Sequence, residues 1–304
     1  MNIGLIGLGK MGMMLLCNMK DHGFNVHVHD RNKDLAKEAT DFGAVFFEEI
    51  HSLIDSLSER RIIWLMLPAG EITEDVFSRV LDKLSPGDIV IDGGNAHFED
   101  SIKRYERAKI KDVHFFDVGT SGGIDGARYG SCMMIGGERK IFPFIEPLFR
   151  ALNVEKGYLY TGESGSGHFL KMVHNGIEYG MMQAIGEGFN LLHKSRFDYD
   201  LEKVATVWNN GSVIRSWLME LTESLLKKDQ KMTSLEGIIP SSGEGQWTVQ
   251  EALKLRVSIP VITQSVMIRY ASEDQEKYGE KVIASLRNKF GGHAIPRKGK
   301  TDEI

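Results

Sequence analysis

Up to about residue 160, short apolar runs alternate with longer stretches whose apolar positions recur every three or four residues. The short runs are Asn2–Ile6, Asn25–His29, Ile62–Leu67, Ile89–Asp92, His114–Val118 and Cys132–Ile135. Runs of this length, most of them followed by glycine or proline, predict strands. Their alternation with helical stretches predicts an α/β domain, a doubly wound parallel sheet covered by helices. From about Ser164 the pattern changes. Phe169, Met172, Val173, Ile177, Met181, Ala184, Ile185 and Phe189 are spaced for the buried face of one long helix, His168–His193. Leu201–Trp208, Ile214–Leu226, Val249–Leu255, Val261–Tyr270 and Gly279–Phe290 predict further helices, and strand-like alternation is absent. The reading is therefore two domains, residues 1–163 and an all-helical 164–304. The polar stretch Arg297–Ile304 is expected to be a mobile tail or a docking arm.

A chain of 304 residues can bury two modest cores, and its 42% hydrophobic and 26% charged residues are ordinary for a globular protein. The net charge of −5 argues against a general nucleic-acid binder but leaves an anionic small molecule open, since a few arginines can hold one locally. Cys17 and Cys132 form no C-x-x-C pair, which fits a reducing compartment, and no Cys/His spacing suggests a metal. The N-terminus carries no basic leader, and no apolar run reaches the roughly 18 residues of a membrane span. A cytoplasmic protein without membrane or nucleic-acid partners is expected.

The first predicted strand runs straight into Gly7-Leu8-Gly9-Lys10-Met11-Gly12, after which a helix begins. In a Rossmann-type βαβ unit, Gly7 permits the tight turn and Gly9 the approach of backbone to a pyrophosphate. Gly12 lets helix and strand pack closely, and the helix N-terminus offers its N–H groups to the phosphates. The strand–turn–helix context makes this a dinucleotide site. Asp30, ending the second strand, can accept hydrogen bonds from both ribose hydroxyls of NAD and repels the 2′-phosphate of NADP. Arg31 could instead pair with that phosphate, so NAD is favoured over NADP without excluding it.

Lys171, Asn175 and Glu178 share one stripe of the long helix, an arrangement that on its own fits a solvated surface equally well. Three glycine-containing segments follow predicted strands: Leu67-Pro68-Ala69-Gly70, Asp92-Gly93-Gly94-Asn95 and Gly119-Thr120-Ser121-Gly122-Gly123. In a doubly wound sheet such loops open at the carboxyl edge, where ligands bind.

The segment Gly167–Gly180, with Lys171, His174, Asn175, Glu178 and Tyr179, resembles the decarboxylating 6-phosphogluconate dehydrogenases. Ile91–Asn95, Ser121–Gly123, Gly126–Gly130 and Arg287–His293 are similar to other motifs of that family, and the chain looks like its short form. The resemblance implies Lys171 as the base at the substrate 3-hydroxyl and Glu178 as the acid that protonates C1, with no metal. It implies Asn95, Ser121, Gly122, Gly123, His174 and Asn175 around the sugar acid, and Tyr179 and Arg269 around the phosphate. The expected cofactor contacts are Gly7–Gly12, Asp30, Arg31, Leu67, Pro68, Ala69 and Asn95. The resemblance further implies that Arg287 and His293 reach a neighbouring subunit's substrate, and with it a homodimer or homotetramer.

Two departures stand out. The family's larger members carry two lysines just before a tryptophan, where this chain has Ser242 and Gln246 ahead of Trp247. Asp30-Arg31 replaces the asparagine–arginine pair of NADP-using members. The alternatives are a 3-hydroxyisobutyrate-type dehydrogenase and an NAD-binding sensor without turnover. The first does not ordinarily combine the helix lysine with His174, Asn175, Glu178 and Tyr179, and the second has no need of both an acid and a base.

Overall fold

The computed structural model describes residues 1–58 and 60–297. The first 162 residues run β1 (Asn2–Ile6), α1 (Lys10–Asp21), β2 (Asn25–His29), α2 (Leu35–Asp41), β3 (Val45–Phe46), α3 (Ile50–Asp55), β4 (Ile62–Leu65), α4 (Glu71–Lys83), β5 (Ile89–Asp92), α5 (Phe98–Ile110), β6 (His114–Ser121), α6 (Gly123–Tyr129), β7 (Ser131–Gly137), α7 (Phe142–Leu152) and β8 (Asn153–Gly162). They form one sheet in the order β3-β2-β1-β4-β5-β6-β7-β8. Alternate residues feed two apolar layers. Ile62 and Trp64 of β4 join Ile3, Leu5 and Phe116 on one face, while Ile63 and Leu65 join Val90 and Phe115 on the other. Burial on both faces is why these strands read as unbroken apolar runs.

The expected parallel order holds from β3 through β6, but β7 pairs antiparallel with β6. The reason is the connection. Only Gly122–Gly130 joins them, and a parallel crossover needs about a dozen residues or more. Two strands escape the sequence pattern. β3 has two residues, and β8 is an edge strand whose Val154, Glu155 and Lys156 are exposed, so it lacks an apolar period.

The helices that follow are α8 (Ser166–His193), α9 (Leu201–Asn209), α10 (Trp217–Lys228), α11 (Glu244–Leu255), α12 (Pro260–Glu273) and α13 (Tyr278–Gly291). Each overlaps a predicted helix. Among the described residues, no helix is long and apolar enough to cross a membrane. By compactness, Met1–Glu178 and Trp247–Arg256 form one unit, and Tyr179–Gln246 with the described residues from Val257 onward form another. The second has a small core of Leu201, Ala205, Met219 and Leu226. The expected burial of the apolar face of α8 needs correction. Met172 is buried, whereas Ile177 is 53% and Met181 42% exposed, since among the described residues nothing covers them. Residues 298–304, most of the expected tail or arm, lie outside the described residues.

Candidate active site

The turn after β1 has the geometry its glycines require. Gly7 has φ +100°, and a Cβ on Gly12 would lie 2.1 Å from the Gly7 carbonyl oxygen, so neither position accepts a side chain. A Cβ on Gly9 would meet nothing within 4 Å, which leaves open space beside the N-terminus of α1. The first turn of α1 carries no acid. An open backbone cradle at an uncompensated helix N-terminus fits a pyrophosphate.

Asp30 reaches back into this turn. Its Oδ2 accepts from the Leu8 N–H at 2.7 Å and its Oδ1 from the Asn32 N–H at 2.8 Å. Each carboxylate oxygen keeps acceptor capacity, so holding the turn and binding ribose hydroxyls are compatible. Arg31 beside it is exposed. Replacing Asp30 with Asn removes the charge facing a 2′-phosphate while loosening the turn. The expected result is a shift of kcat/KM toward NADP over NAD by about tenfold or more, or ~1.4 kcal/mol. Steady-state assays with both cofactors check it, and an unchanged ratio contradicts the role given to Asp30.

The turns after β4, β5 and β6 open along the same sheet edge. Leu67, Pro68 and Ala69 follow β4, and a Cβ on Gly94 would lie 2.2 Å from the Leu67 carbonyl oxygen. The two loops therefore pack backbone to backbone, with the exposed Asn95 next in line. The base of the second loop is anchored below. Asp92, 1% exposed, accepts from Arg104 Nη1 at 2.7 Å, and Arg104 Nε also donates to Glu74 at 2.6 Å. Burial pushes the Asp92 carboxyl above its usual range, against the pull of His168 and Arg104.

β6 ends at Ser121, and the chain then passes through Gly122 (φ +114°) and Gly123 (φ +59°), a left-handed turn that starts α6. The first half of α8 lies against this strand. A Cβ on Gly119 would sit 2.3 Å from Lys171 Cβ, so the glycine lets the lysine stem rest on the strand. Lys171 and Asn175 are buried, 7% and 8% exposed. His174 is held from both sides: Nδ1 donates to Asn175 Oδ1 at 3.0 Å, leaving Nε2 to accept from Ser121 Oγ at 3.1 Å. Glu178 Oε2 lies 3.9 Å from His174 Nδ1, and both side chains are 38% exposed. Lys171, His174, Asn175, Glu178 and Ser121–Gly122 thus form one group. A buried amine and a partly exposed carboxylate on one helix stripe can divide the roles of proton acceptor and donor.

Tyr179 and Arg269 also come together, in the second unit. The Arg269 guanidinium lies 3.6 Å from the Tyr179 ring centre and donates from Nη1 to the Pro240 carbonyl. Ser242, in one of the family's lysine places, is 3.2 Å from the Tyr179 hydroxyl and donates to Glu244. Gln246, in the other, accepts from Tyr270. Arg287 on α13 and His293 just beyond it are exposed. Sequence reasoning misses Thr248, whose hydroxyl donates to the Met172 carbonyl at 2.8 Å, and Asp117. The signal for Asp117 is an acid inside an otherwise apolar strand.

Comparison with known proteins agrees with this arrangement. A family model described as the NAD binding domain of 6-phosphogluconate dehydrogenase matches residues 2–162. Another, for the 6-phosphogluconate dehydrogenase C-terminal domain, matches residues 167–302. The Bacillus subtilis protein YqeC is 51% identical over 298 residues, 98% of this chain and 100% of that protein. An NAD(+)-dependent, decarboxylating 6-phosphogluconate dehydrogenase of Haloferax volcanii is 40% identical over 300 residues, 98% of this chain and 99% of its own. The solved 6-phosphogluconate dehydrogenase of Plasmodium falciparum superposes with a TM-score of 0.83 at 30% identity, covering 99% of this chain and 67% of that one. A nucleotide turn, a lysine–glutamate helix stripe and matches spanning both halves lead to one assignment: this chain belongs to the 6-phosphogluconate dehydrogenase family.

Proposed function

We propose that this protein catalyses the NAD-dependent oxidative decarboxylation of 6-phosphogluconate to ribulose 5-phosphate and carbon dioxide. The observation that carries the reading is the grouping of buried Lys171 with His174, Asn175 and Glu178 beside Ser121. Identity over nearly the full length of the Haloferax enzyme supports both the reaction and NAD as the preferred cofactor.

Gly7–Gly12, Asp30, Arg31, Leu67–Ala69 and Asn95 hold the dinucleotide, which when bound supplies the acceptor for a hydride from C3. Lys171 removes the proton from the 3-hydroxyl. In the 3-keto acid so formed, the protonated Lys171 hydrogen-bonds the carbonyl oxygen and stabilises the electron pair released as carbon dioxide leaves. Glu178 then delivers a proton to C1 of the enediol. Ser121, Gly122, Gly123, Asn95, His174 and Asn175 orient the sugar acid. Tyr179 and Arg269 take the phosphate, with Ser242 a weaker substitute for a lysine. Residues 1–163 serve as the dinucleotide domain and 164–304 as the substrate and oligomerisation domain. Cytoplasmic placement belongs to the same reading and fits the free Cys17 and Cys132. Assaying 6-phosphogluconate and 3-hydroxyisobutyrate against NAD and NADP tests the assignment. Turnover confined to 3-hydroxyisobutyrate overturns it.

A homodimer or homotetramer completes the site. Helix α13 buries none of its residues and leaves Ile283, Leu286 and Phe290 more than half exposed. A helix so apolar and unburied needs a covering surface, and its Arg287 and His293 then serve a neighbour's substrate. The double variant Leu286→Asp/Phe290→Asp is expected to weaken association by at least about tenfold and to lower activity in parallel. Light scattering and activity across a dilution series check this. An assembly as tight as wild type contradicts it.

A further inference from the structure

Asp117 is fully buried in the middle of β6, where an acid has to be compensated. What compensates it is the beginning of α8. The carboxylate accepts from the Gly165 N–H at 2.6 Å, the His168 N–H at 2.9 Å and the Ser164 hydroxyl at 3.2 Å. Helix α8 has no acid in its own first turn, so a neighbouring strand supplies the group that its unpaired N–H donors require. Asp117, Gly119 and Ser121 are alternate residues of β6 and share one face. In that order they meet the start of α8, Lys171 and His174. Gly167 brings the helix down onto the sheet, since a Cβ there would lie 2.5 Å from the carbonyl oxygens of Asp117 and Met134. Of the three contacts, the one at Gly119 is steric and the one at Ser121 joins half-buried side chains. At Asp117 three hydrogen bonds converge, and the two from the Gly165 and His168 N–H groups are buried.

We propose that Asp117 is a positioning residue: it fixes the register of α8 along β6 and so holds Lys171 and His174 in place for catalysis. This rests on the reading of Lys171 as the base. A residue that only stabilised the fold would lower the melting temperature and leave turnover unchanged well below it. A positioning residue changes turnover there, because a displacement of about 1 Å can cost about a hundredfold in rate.

The test is Asp117→Asn in the intact chain, which keeps the shape but removes the charge and replaces one of the two acceptor oxygens by a donor NH2 that cannot accept from a helix N–H. Measured well below the melting temperature, kcat for 6-phosphogluconate oxidation is expected to fall by about ten- to a hundredfold. NAD affinity should stay within about twofold, and exchange protection should drop in peptides covering residues 164–171. A kcat within about twofold of wild type overturns the proposal. Should Asp117→Asn not fold, Ser164→Ala removes one donor and is expected to lower kcat by about two- to fivefold; an unchanged kcat then overturns it. A wild-type chain that does not oxidise 6-phosphogluconate overturns the functional reading instead, and loss of protection in Asp117→Asn still reports the cap.

Discussion

Lys171→Ala lowers kcat for 6-phosphogluconate by about a thousandfold or more, while NAD binds as tightly as to the wild type. Positioned general bases typically contribute about 10² to 10⁴ in rate, and the proposed mechanism gives this amine a second task at the developing enolate, so the upper part of that range is expected. NAD binding is spared because the glycine turn is tied to the Asp30 carboxylate through the Leu8 N–H and not to α8. Truncation leaves Gly119 with the Cβ contact it already has, so the fold should survive. Steady-state kinetics with isothermal titration of NAD checks both halves. A variant retaining most of its rate removes Lys171 from the mechanism.

Glu178→Gln separates the steps. Proton delivery to C1 comes after hydride transfer, so the first turnover should still reduce NAD at near the wild-type rate. Steady-state turnover should then fall by about a hundredfold. Stopped-flow absorbance should show a burst of reduced nicotinamide followed by a slow phase. Equal slowing of both phases contradicts the assignment, since Glu178 would then be acting at or before hydride transfer. Its side chain is partly exposed and next to His174, so the amide is accommodated without a cavity.

The sequence makes the nucleotide turn legible because its three glycines are punctuation with separate tasks, two of them steric, and both flanking elements are strongly periodic. The stripe of Lys171, Asn175 and Glu178 is legible as a stripe only. Whether it faces water or a strand depends on Gly119 and Ser121, some fifty residues away in the chain. Asp117 illustrates the limit further: the acid stands out in an apolar strand, but two of its three partners are backbone N–H groups that leave no residue-type signature. The reversal of β7 was available in the shortness of Gly122–Gly130, whereas edge strand β8 had no apolar period to show. Exposed Ile177 and Met181 read as buried because apolar spacing does not say whether the covering surface belongs to the same chain.

The central claim is that oxidation and loss of carbon dioxide are one catalytic sequence run by Lys171 and Glu178. The most direct measurement follows reduced nicotinamide and released carbon dioxide together as purified protein consumes 6-phosphogluconate with NAD. Equal amounts of the two, with ribulose 5-phosphate as the sugar product, are predicted. Reduction of NAD without carbon dioxide contradicts the account.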